Sequence, residues 1–454
     1  MKLMKHQLES VKHSKTTPIV FDASDAGTGK TAVRITVFAD RRRRGGGCLL
    51  VLAPRSLLVS AWAEDFKKFA PDMKVSVAMA ANREAAFAAD ADVYVTNHDA
   101  VKWLVKQKKA FFSRFSELAI DESTAYKHHT SQRSKAVATI VRRLANDYFK
   151  YVSVMTATPT SNGITDIWHQ VYLLDGGKRL GPSFYAFRNA VCEPEQVGYN
   201  AHAVKWHDKE GAEEAVYGLL KDIIIRHEFD NCVDIPANHT FTVSYDLTKK
   251  QRKTYDLMEE SQMLLMKRNK KVTAINAAAV ATKLLQIASG AVYGNDGDAE
   301  LVDTERYELI IDLVEARKHS LVLFLWEHQR DQLVKEAQAR GISYCVMDGN
   351  TSDRDSARLV EEYQKGVYQV MFAHPKTAGH GLTLTTGNRT IWASPTYDLE
   401  MWVQASKRQH RIGQKKKTET IVVVAKNTID ERVYNDILMP KGKRMDNLLD
   451  LFAA

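Results

Sequence analysis

The chain has 454 residues, enough for about three ordinary domains or two large ones. Its 44% hydrophobic and 26% charged residues exclude a disordered or fibrous chain, and its net charge of +9 suits a polyanionic partner without requiring one. Four scattered cysteines (Cys48, Cys192, Cys232, Cys345) argue against a zinc ribbon or disulfide framework, and no apolar run approaches the ~18 residues of a membrane span. At the amino terminus MKLMKHQLESVKHSK is basic but lacks the apolar stretch of a signal peptide. The expectation is a cytoplasmic chain, in a bacterium or a virus-infected host, or a nuclear one in a eukaryote.

Short apolar runs then alternate with helical stretches. Strands are predicted at 17–23, 48–53, 92–96, 118–120 and 151–155, and again at 320–326, 342–347, 368–372, 388–393 and 418–424. Nearly continuous apolar runs point to strands covered on both faces, as in a parallel sheet flanked by helices. Residues 161–227 show no clear period. Residues 247–289 read as long helices around a basic tip, KRNKK at 267–271. Both stretches are read as insertions (about 161–227 and 247–300) on two α/β lobes, 1–231 and 232–454, with the boundary near 229–236. One connecting helix is framed by Ser352 as its cap and Gly366 as its stop.

The sharpest local signal is SDAGTGKT, 24–31, between a predicted strand and a helix from Lys30 to about Arg44. Ser24 stands where a phosphate-binding loop usually has its first glycine, and Gly27 and Gly29 supply the backbone freedom. Asp25, Ala26, Gly27, Thr28 and Gly29 would present the loop to phosphates. Lys30 would reach the β/γ-phosphates and Thr31 would offer its hydroxyl to Mg²⁺, at the positive end of the helix. The run Arg41–Arg44 is a second, weaker candidate for a nucleic-acid contact, since cations at a helix end are favoured by the dipole alone. Further on, LAIDES places Asp121 and Glu122 at a strand end, where the aspartate can hold Mg²⁺ through water and the glutamate can polarise the attacking water. VMTATPT, 154–160, runs a strand into a small-hydroxyl turn that carries Thr156 and Thr158.

QASKRQHRIGQ, 404–414, closely resembles the last motif of the Swi/Snf-like branch of superfamily-two helicase-type ATPases. The preceding segments follow in that family's order: Gln7 in LMKHQLESV, the phosphate loop, APRSLL with the later Trp62, Thr96–Asp99, Asp121–Thr124, Thr156–Pro159, LVLFLWEHQ, YCVMDGNTSDRDSAR and HPKTAGHGLTL. The resemblance implies two RecA-like parallel-sheet lobes in tandem with helical insertions. It implies ATP and Mg²⁺ as cofactors, with Gln7 reading adenine and Gly381 near the nucleotide. Lys30, Asp121, Glu122 and the arginine fingers Arg408 and Arg411 become the catalytic set; Thr124, Thr156, Thr158 and Gln404 would couple hydrolysis to movement. Three apart, the two arginines would share a helix face.

Two departures stand out. Thr124 occupies a place where many relatives have histidine, and TYDLEMWVQ precedes the fingers where many have a Trp-Asn-Pro turn. This pattern is similar to the compact prokaryotic and viral members of the branch. The implied activity is ATP-driven translocation on double-stranded DNA, as a monomer, with protein partners unspecified and no membrane association. Backbone-directed contacts would come from Arg55, Ser56, Asn97, His98, Lys376 and Thr377. A strand-separating helicase is disfavoured by the lack of an added wedge domain. A nucleotide-switched binding module is disfavoured by the intact Lys30, Glu122, Arg408 and Arg411.

Overall fold

A computed structural model describes residues 2–196, 204–268, 274–294, 298–317, 319–378 and 382–453. They form two compact units, one of Met1–Pro194, Trp206–Asp234 and Lys441–Ala454, the other of Glu195–Lys205 and Ile235–Pro440. This division differs from a single cut at 231/232 in giving the last residues of the chain to the first unit.

The first unit is built on β1 (Ile19–Asp22), β2 (Cys48–Ala53), β3 (Val75–Ala78), β4 (Val93–Asn97), β5 (Phe115–Asp121) and β6 (Tyr151–Met155). The two-residue β9 (Ile224–Ile225) completes that sheet, and between β6 and β9 in sequence comes a separate two-stranded ribbon, β7 (Cys192–Gln196) with β8 (Val204–Asp208). The sheet order is β3-β4-β2-β5-β6-β1-β9, and every pairing in it is parallel. All of β2 is buried, as its unbroken CLLVLA run requires. Leu49, Val51 and Ala53 join Ile35, Phe38, Trp62, Phe66, Val93 and Val95 in one core. Two helices, α1 (Lys5–Thr16) and α2 (Lys30–Arg43), flank β1 in sequence and pack together. The 161–227 stretch contains helices Ile167–Asp175, Phe184–Val191 and Ala212–Leu220.

The second unit repeats the plan with β10 (Asn238–Tyr245), the antiparallel ribbon β11 (Ala291–Tyr293) and β12 (Ala299–Leu301), then β13 (Ser320–Leu323), β14 (Tyr344–Met347), β15 (Val370–Ala373), β16 (Arg389–Trp392) and β17 (Thr418–Ala425). The main sheet runs β10-β17-β16-β13-β15-β14, again wholly parallel. The tandem α/β architecture read from the sequence is the one observed. Helices Lys249–Arg268 and Ala274–Ala288 occupy the 247–289 stretch. Lys267 and Arg268 close the first of them, and residues 269–271 of the basic tip lie outside the described residues. Ser352 Oγ accepts the Asp355 amide at 3.1 Å and caps helix Asp353–Gln364.

One buried knot holds this unit's helices to its sheet. Arg306 forms an ion pair with Asp430, donates to the Tyr245 hydroxyl at 2.8 Å, and donates to the Ala393 carbonyl at 2.8 Å. Among the described residues no helix is long and apolar enough to cross a membrane.

Candidate active site

The loop 24–29 leaves the carboxyl end of β1 and enters α2 directly. Gly29 is left-handed (φ +85°), and a Cβ there would collide with the amide of Gln7. Gln7 is buried: its Nε2 donates to the Thr28 carbonyl at 3.0 Å, and its Oε1 accepts the Met4 amide at 3.0 Å. His6 Nε2 lies 2.8 Å from the same Thr28 carbonyl. Lys30 Nζ donates to the carbonyls of Ser24 (2.7 Å) and Asp25 (3.0 Å), so its ammonium lies within the curve of the loop. Ala26, Gly27, Lys30 and Thr31 are all half-buried, reachable from solvent.

Asp25 is differently employed. Arg226 Nη1 meets its Oδ1 at 2.6 Å, and the Phe229 amide donates to its Oδ2 at 3.0 Å. The carboxylate is thereby neutralised, and the segment after β9 pins the loop. Burial also holds the His227 ring below its ordinary pKa; its Nε2 lies 2.9 Å from Ser10 Oγ.

Asp121 ends β5. Its Oδ2 accepts the indole N–H of fully buried Trp62 at 2.9 Å, and its Oδ1 accepts the Glu122 amide at 3.1 Å. Glu122 is left-handed (φ 50°), a conformation that costs a residue with a Cβ on the order of 1–2 kcal/mol. The strain turns the chain at the strand end, and Thr156 Oγ1 donates to Glu122 Oε2 at 3.4 Å. Thr158, whose amide donates to Thr156 Oγ1 at 3.1 Å, and Thr124 are buried. A residue the sequence did not single out joins these turns: buried Gln170 accepts from Ser123 Oγ at 2.6 Å and donates to the Pro159 carbonyl at 2.9 Å. Arg226 likewise positions a site residue, and Trp62, singled out in the sequence only as part of a motif, positions Asp121. A Trp–carboxylate bond leaves no trace in spacing, and Arg226 follows a strand too short to read.

The sheet order makes these pieces neighbours. Proceeding along β4-β2-β5-β6-β1, the carboxyl ends carry Asn97 and His98, then Arg55 and Ser56, then Asp121 and Glu122, then Thr156 and Thr158, then the loop. The DNA candidates thus follow two adjacent strands, and the nucleotide candidates follow the next three. Arg55 and Ser56 are exposed, Asn97 accepts from Arg83 Nη2 at 3.2 Å, and His98 is buried edge-on to Tyr126. The run Arg41–Arg44 is taken up by carboxylates: Arg41 with Glu117, Arg42 with Asp92, Arg43 with Asp72, and Arg44 with Asp40. That pairing accounts for its charge without nucleic acid.

The donor set fits a Mg²⁺–nucleotide. Hard oxygens from Thr31, at the start of α2, and from Asp121, at the end of β5, suit Mg²⁺.

In the second unit, helix Leu399–Ser406 stops before the arginines. Arg408 and Arg411 therefore lie in the turns that follow, and the shared-helix-face expectation is corrected. They converge otherwise: Arg408 Nη1 (3.5 Å) and Arg411 Nη1 (3.0 Å) both donate to the Leu382 carbonyl, and Arg408 Nε donates to the Gln404 carbonyl at 2.6 Å. Intervening polar residues set this turn. Gln409 Nε2 donates to the Tyr363 hydroxyl at 3.0 Å, and Gln414 Nε2 donates to the carbonyls of Gly387 (2.8 Å) and Gln409 (3.1 Å). Gly387 is required by close approach, since a Cβ would overlap Tyr363 and Gln409. Lys376, exposed, and Thr377 sit on the short helix Pro375–Ala378; Gly381 lies outside the described residues.

Comparison with known proteins adds the following. The SNF2-related domain model matches residues 6–289, and the helicase conserved C-terminal domain matches residues 305–413. The chain is 28% identical to putative protein p41 of Acyrthosiphon pisum secondary endosymbiont phage 1, over 92% of this chain and 94% of that protein. It is 24% identical to an uncharacterized ATP-dependent helicase of Mycoplasma pneumoniae, over 90% of this chain and 38% of that protein. It is 23% identical to human SWI/SNF-related matrix-associated actin-dependent regulator of chromatin subfamily A member 1, over 90% of this chain and 40% of that protein. The chain thus spans nearly all of the phage protein and about two fifths of the other two. Among solved structures, the Sulfolobus solfataricus SWI2/SNF2 ATPase core in complex with dsDNA aligns with a TM-score of 0.46 and 21% identity, over 99% of this chain and 93% of that one.

Proposed function

The chain belongs to the SNF2-related helicase-type ATPases, enzymes that hydrolyse ATP, and on that premise we propose that it is a Mg²⁺-dependent motor that translocates on double-stranded DNA. The observation that carries this reading is the order of strand ends in the first unit. Exposed or half-buried backbone-binding candidates (Arg55, Ser56, Asn97) follow β2 and β4, immediately beside the nucleotide residues that follow β5, β6 and β1. A change at the phosphates has a short path to a strand of DNA through rigid, buried turns.

The residues divide the chemistry. The loop amides and Lys30 bind and orient the β- and γ-phosphates. Glu122, held by its strained backbone and by Thr156, accepts the proton of the attacking water. Mg²⁺, carried by Thr31 and Asp121, would supply charge neutralisation on the phosphate oxygens. Trp62 fixes the orientation of the Asp121 carboxylate. Arg408 and Arg411 stabilise the charge that develops on the transferred phosphoryl group, a task for which the guanidinium fork is suited. Gln170 links the turn after Glu122 to that after Thr156, so that a shift of one is felt by the other. DNA is held by its backbone, as a monomeric translocase requires; Arg55, Ser56, Asn97, Lys376 and Thr377 take part, and His98 contributes through its place in the β4 turn.

ATP turnover measured with duplex DNA, single-stranded DNA, RNA and no nucleic acid tests the reading. Duplex DNA should stimulate most, with a steep loss as salt rises. Equal stimulation by RNA would refute the duplex substrate.

A further inference from the structure

The 161–227 stretch places one ring where no core needs it. Tyr185, in helix Phe184–Val191, is 58% exposed, more than any other phenylalanine, tyrosine or tryptophan among the described residues. An exposed tyrosine by itself is ordinary, but this one has a built stand. Phe184 stacks on His129 at 4.2 Å, and Trp168 meets His129 and Phe184 steeply, at 79° and 74°. Trp168 is buried, and its indole N–H donates to the Gly181 carbonyl at 3.1 Å, which fixes the stand. Tyr185 is set edge-to-face on the pair, at 74° to Phe184 and 89° to His129.

The charges at these rings are of one sign. Lys135 and His128 are the titratable groups that act on the His129 ring, and no carboxylate joins them; burial, with these two neighbours, holds His129 below its ordinary pKa. Both are exposed and without an ion pair among the described residues. Arg188 lies over the Tyr185 ring at 5.4 Å and over the Trp206 ring at 3.7 Å. It has no ion pair among the described residues, and its buried Nε finds no acceptor. The two segments that build the stand, 123–146 and 176–192, hold lysines and arginines but no acid. Lys127, Arg133 and Arg179 pair with acids from elsewhere, whereas Lys135, His128 and Arg188 are the ones set at the rings.

This patch also continues the row of DNA candidates. Its segment leaves the carboxyl end of β5 through the turn Ser123–Tyr126. The Tyr126 hydroxyl lies 3.0 Å from His98 Nδ1, and Arg133 pairs with Asp99 at 2.7 Å, so the segment is tied to the turn after β4 that carries Asn97.

We propose that Tyr185 stacks on an unpaired base where duplex DNA gives way to a single strand, with Lys135, His128 and Arg188 taking the neighbouring phosphates. The inference rests on the duplex-DNA reading above and adds to it a preferred DNA end. Arg188 lies over one face of the ring, which leaves one face to offer. A wedge between two base pairs needs both faces, and capping the last base of a stack needs one. A contact to the backbone alone would need no ring.

The test measures binding of the full chain to a short fluorescein-labelled duplex, blunt or with a short 3′ or 5′ single-stranded tail. Wild-type protein should bind one tailed duplex about tenfold more tightly than the blunt one. That preference should vanish in Tyr185→Ala and when the first unpaired nucleotide is abasic, and should survive in Tyr185→Phe and Tyr185→Trp. A fluorescent adenine analogue at that nucleotide should be quenched on binding wild-type protein and not on binding Tyr185→Ala. Equal affinity for blunt and tailed duplexes overturns the proposal. So does a tail preference that persists in Tyr185→Ala or at an abasic site, or a loss in Tyr185→Ala that is equal on blunt duplex. Stimulation of ATP turnover by blunt duplex tests the motor reading separately. Stimulation without any tail preference refutes only the stacking contact, and a tail preference lost in Tyr185→Ala without stimulation by any duplex refutes only the motor.

Discussion

Lys30, Glu122 and Arg411 each carry a different part of the proposed chemistry, and their substitutions should separate accordingly. Lys30→Ala removes the cation inside the loop and should abolish ATP binding and turnover together, as read by nucleotide affinity and phosphate release. Glu122→Gln keeps shape and charge-free hydrogen bonding but cannot take the proton of water. It should bind ATP normally and hydrolyse it roughly 10²–10⁴-fold more slowly. Normal phosphate release by Glu122→Gln would remove the base from the scheme. Arg411→Ala should keep ATP affinity within a small factor and lose about 10³–10⁵ in rate, and Arg411→Lys should not restore it, since an ammonium lacks the guanidinium fork. Gly29→Ala offers a steric check. Its Cβ would strike Gln7 in a backbone that already disfavours side chains, so nucleotide affinity should fall while the two sheets remain folded by circular dichroism.

Elements that bring the site together were unequally legible. Strands β1, β2, β4, β5 and β6 announce themselves by buried apolar runs, and the loop, acid pair and Thr-Ala-Thr turn follow β1, β5 and β6 directly. The edge strands β3, β9 and β10 escaped, because VSVA and II are short and NHTFTVSY is polar with much of its surface exposed. The turn geometry of Arg408 and Arg411 escaped too, since Gln409, Gln414 and Gly387 fix it through contacts remote in sequence. The helix Ile167–Asp175 illustrates a device that only packing shows. Its Gln170 satisfies Ser123 and Pro159, so Gln170→Leu would leave buried polar groups without partners and should cost about 1–3 kcal/mol in urea unfolding. One residue before, buried His169 has its Nδ1 2.6 Å from the Tyr126 carbonyl, and burial lowers its pKa to about 4. In the second unit, burial lowers His328 to about 4 as well. The unfolded chain, titrating near 6.5, binds these protons first, so stability should be constant above about pH 6.5 and decline as pH falls from there toward 4. His169→Asn, which keeps a donor for the carbonyl and cannot be protonated, should flatten part of that slope in denaturant midpoints measured against pH.

At the scale of the whole molecule, each parallel-sheet unit holds a buried ion pair between elements, helix to strand in the first and helix to helix in the second. In the first unit Arg41 joins α2 to Glu117 on β5, and in the second Arg306 joins its helix to Asp430. Removing one partner strands the other charge in the interior, so Asp430→Ala should destabilise by about 3–5 kcal/mol, seen as early loss of the second unit in limited proteolysis. Transmission from hydrolysis to movement is the part of the proposed reading to be measured. That measurement is displacement of the third strand from a triplex-tagged DNA duplex. The account predicts displacement that requires ATP hydrolysis and Mg²⁺, and that disappears in Arg411→Ala while duplex binding persists. A chain that hydrolyses ATP on duplex DNA yet never displaces the third strand, or that displaces it equally well as Arg411→Ala, would contradict a DNA-translocating motor.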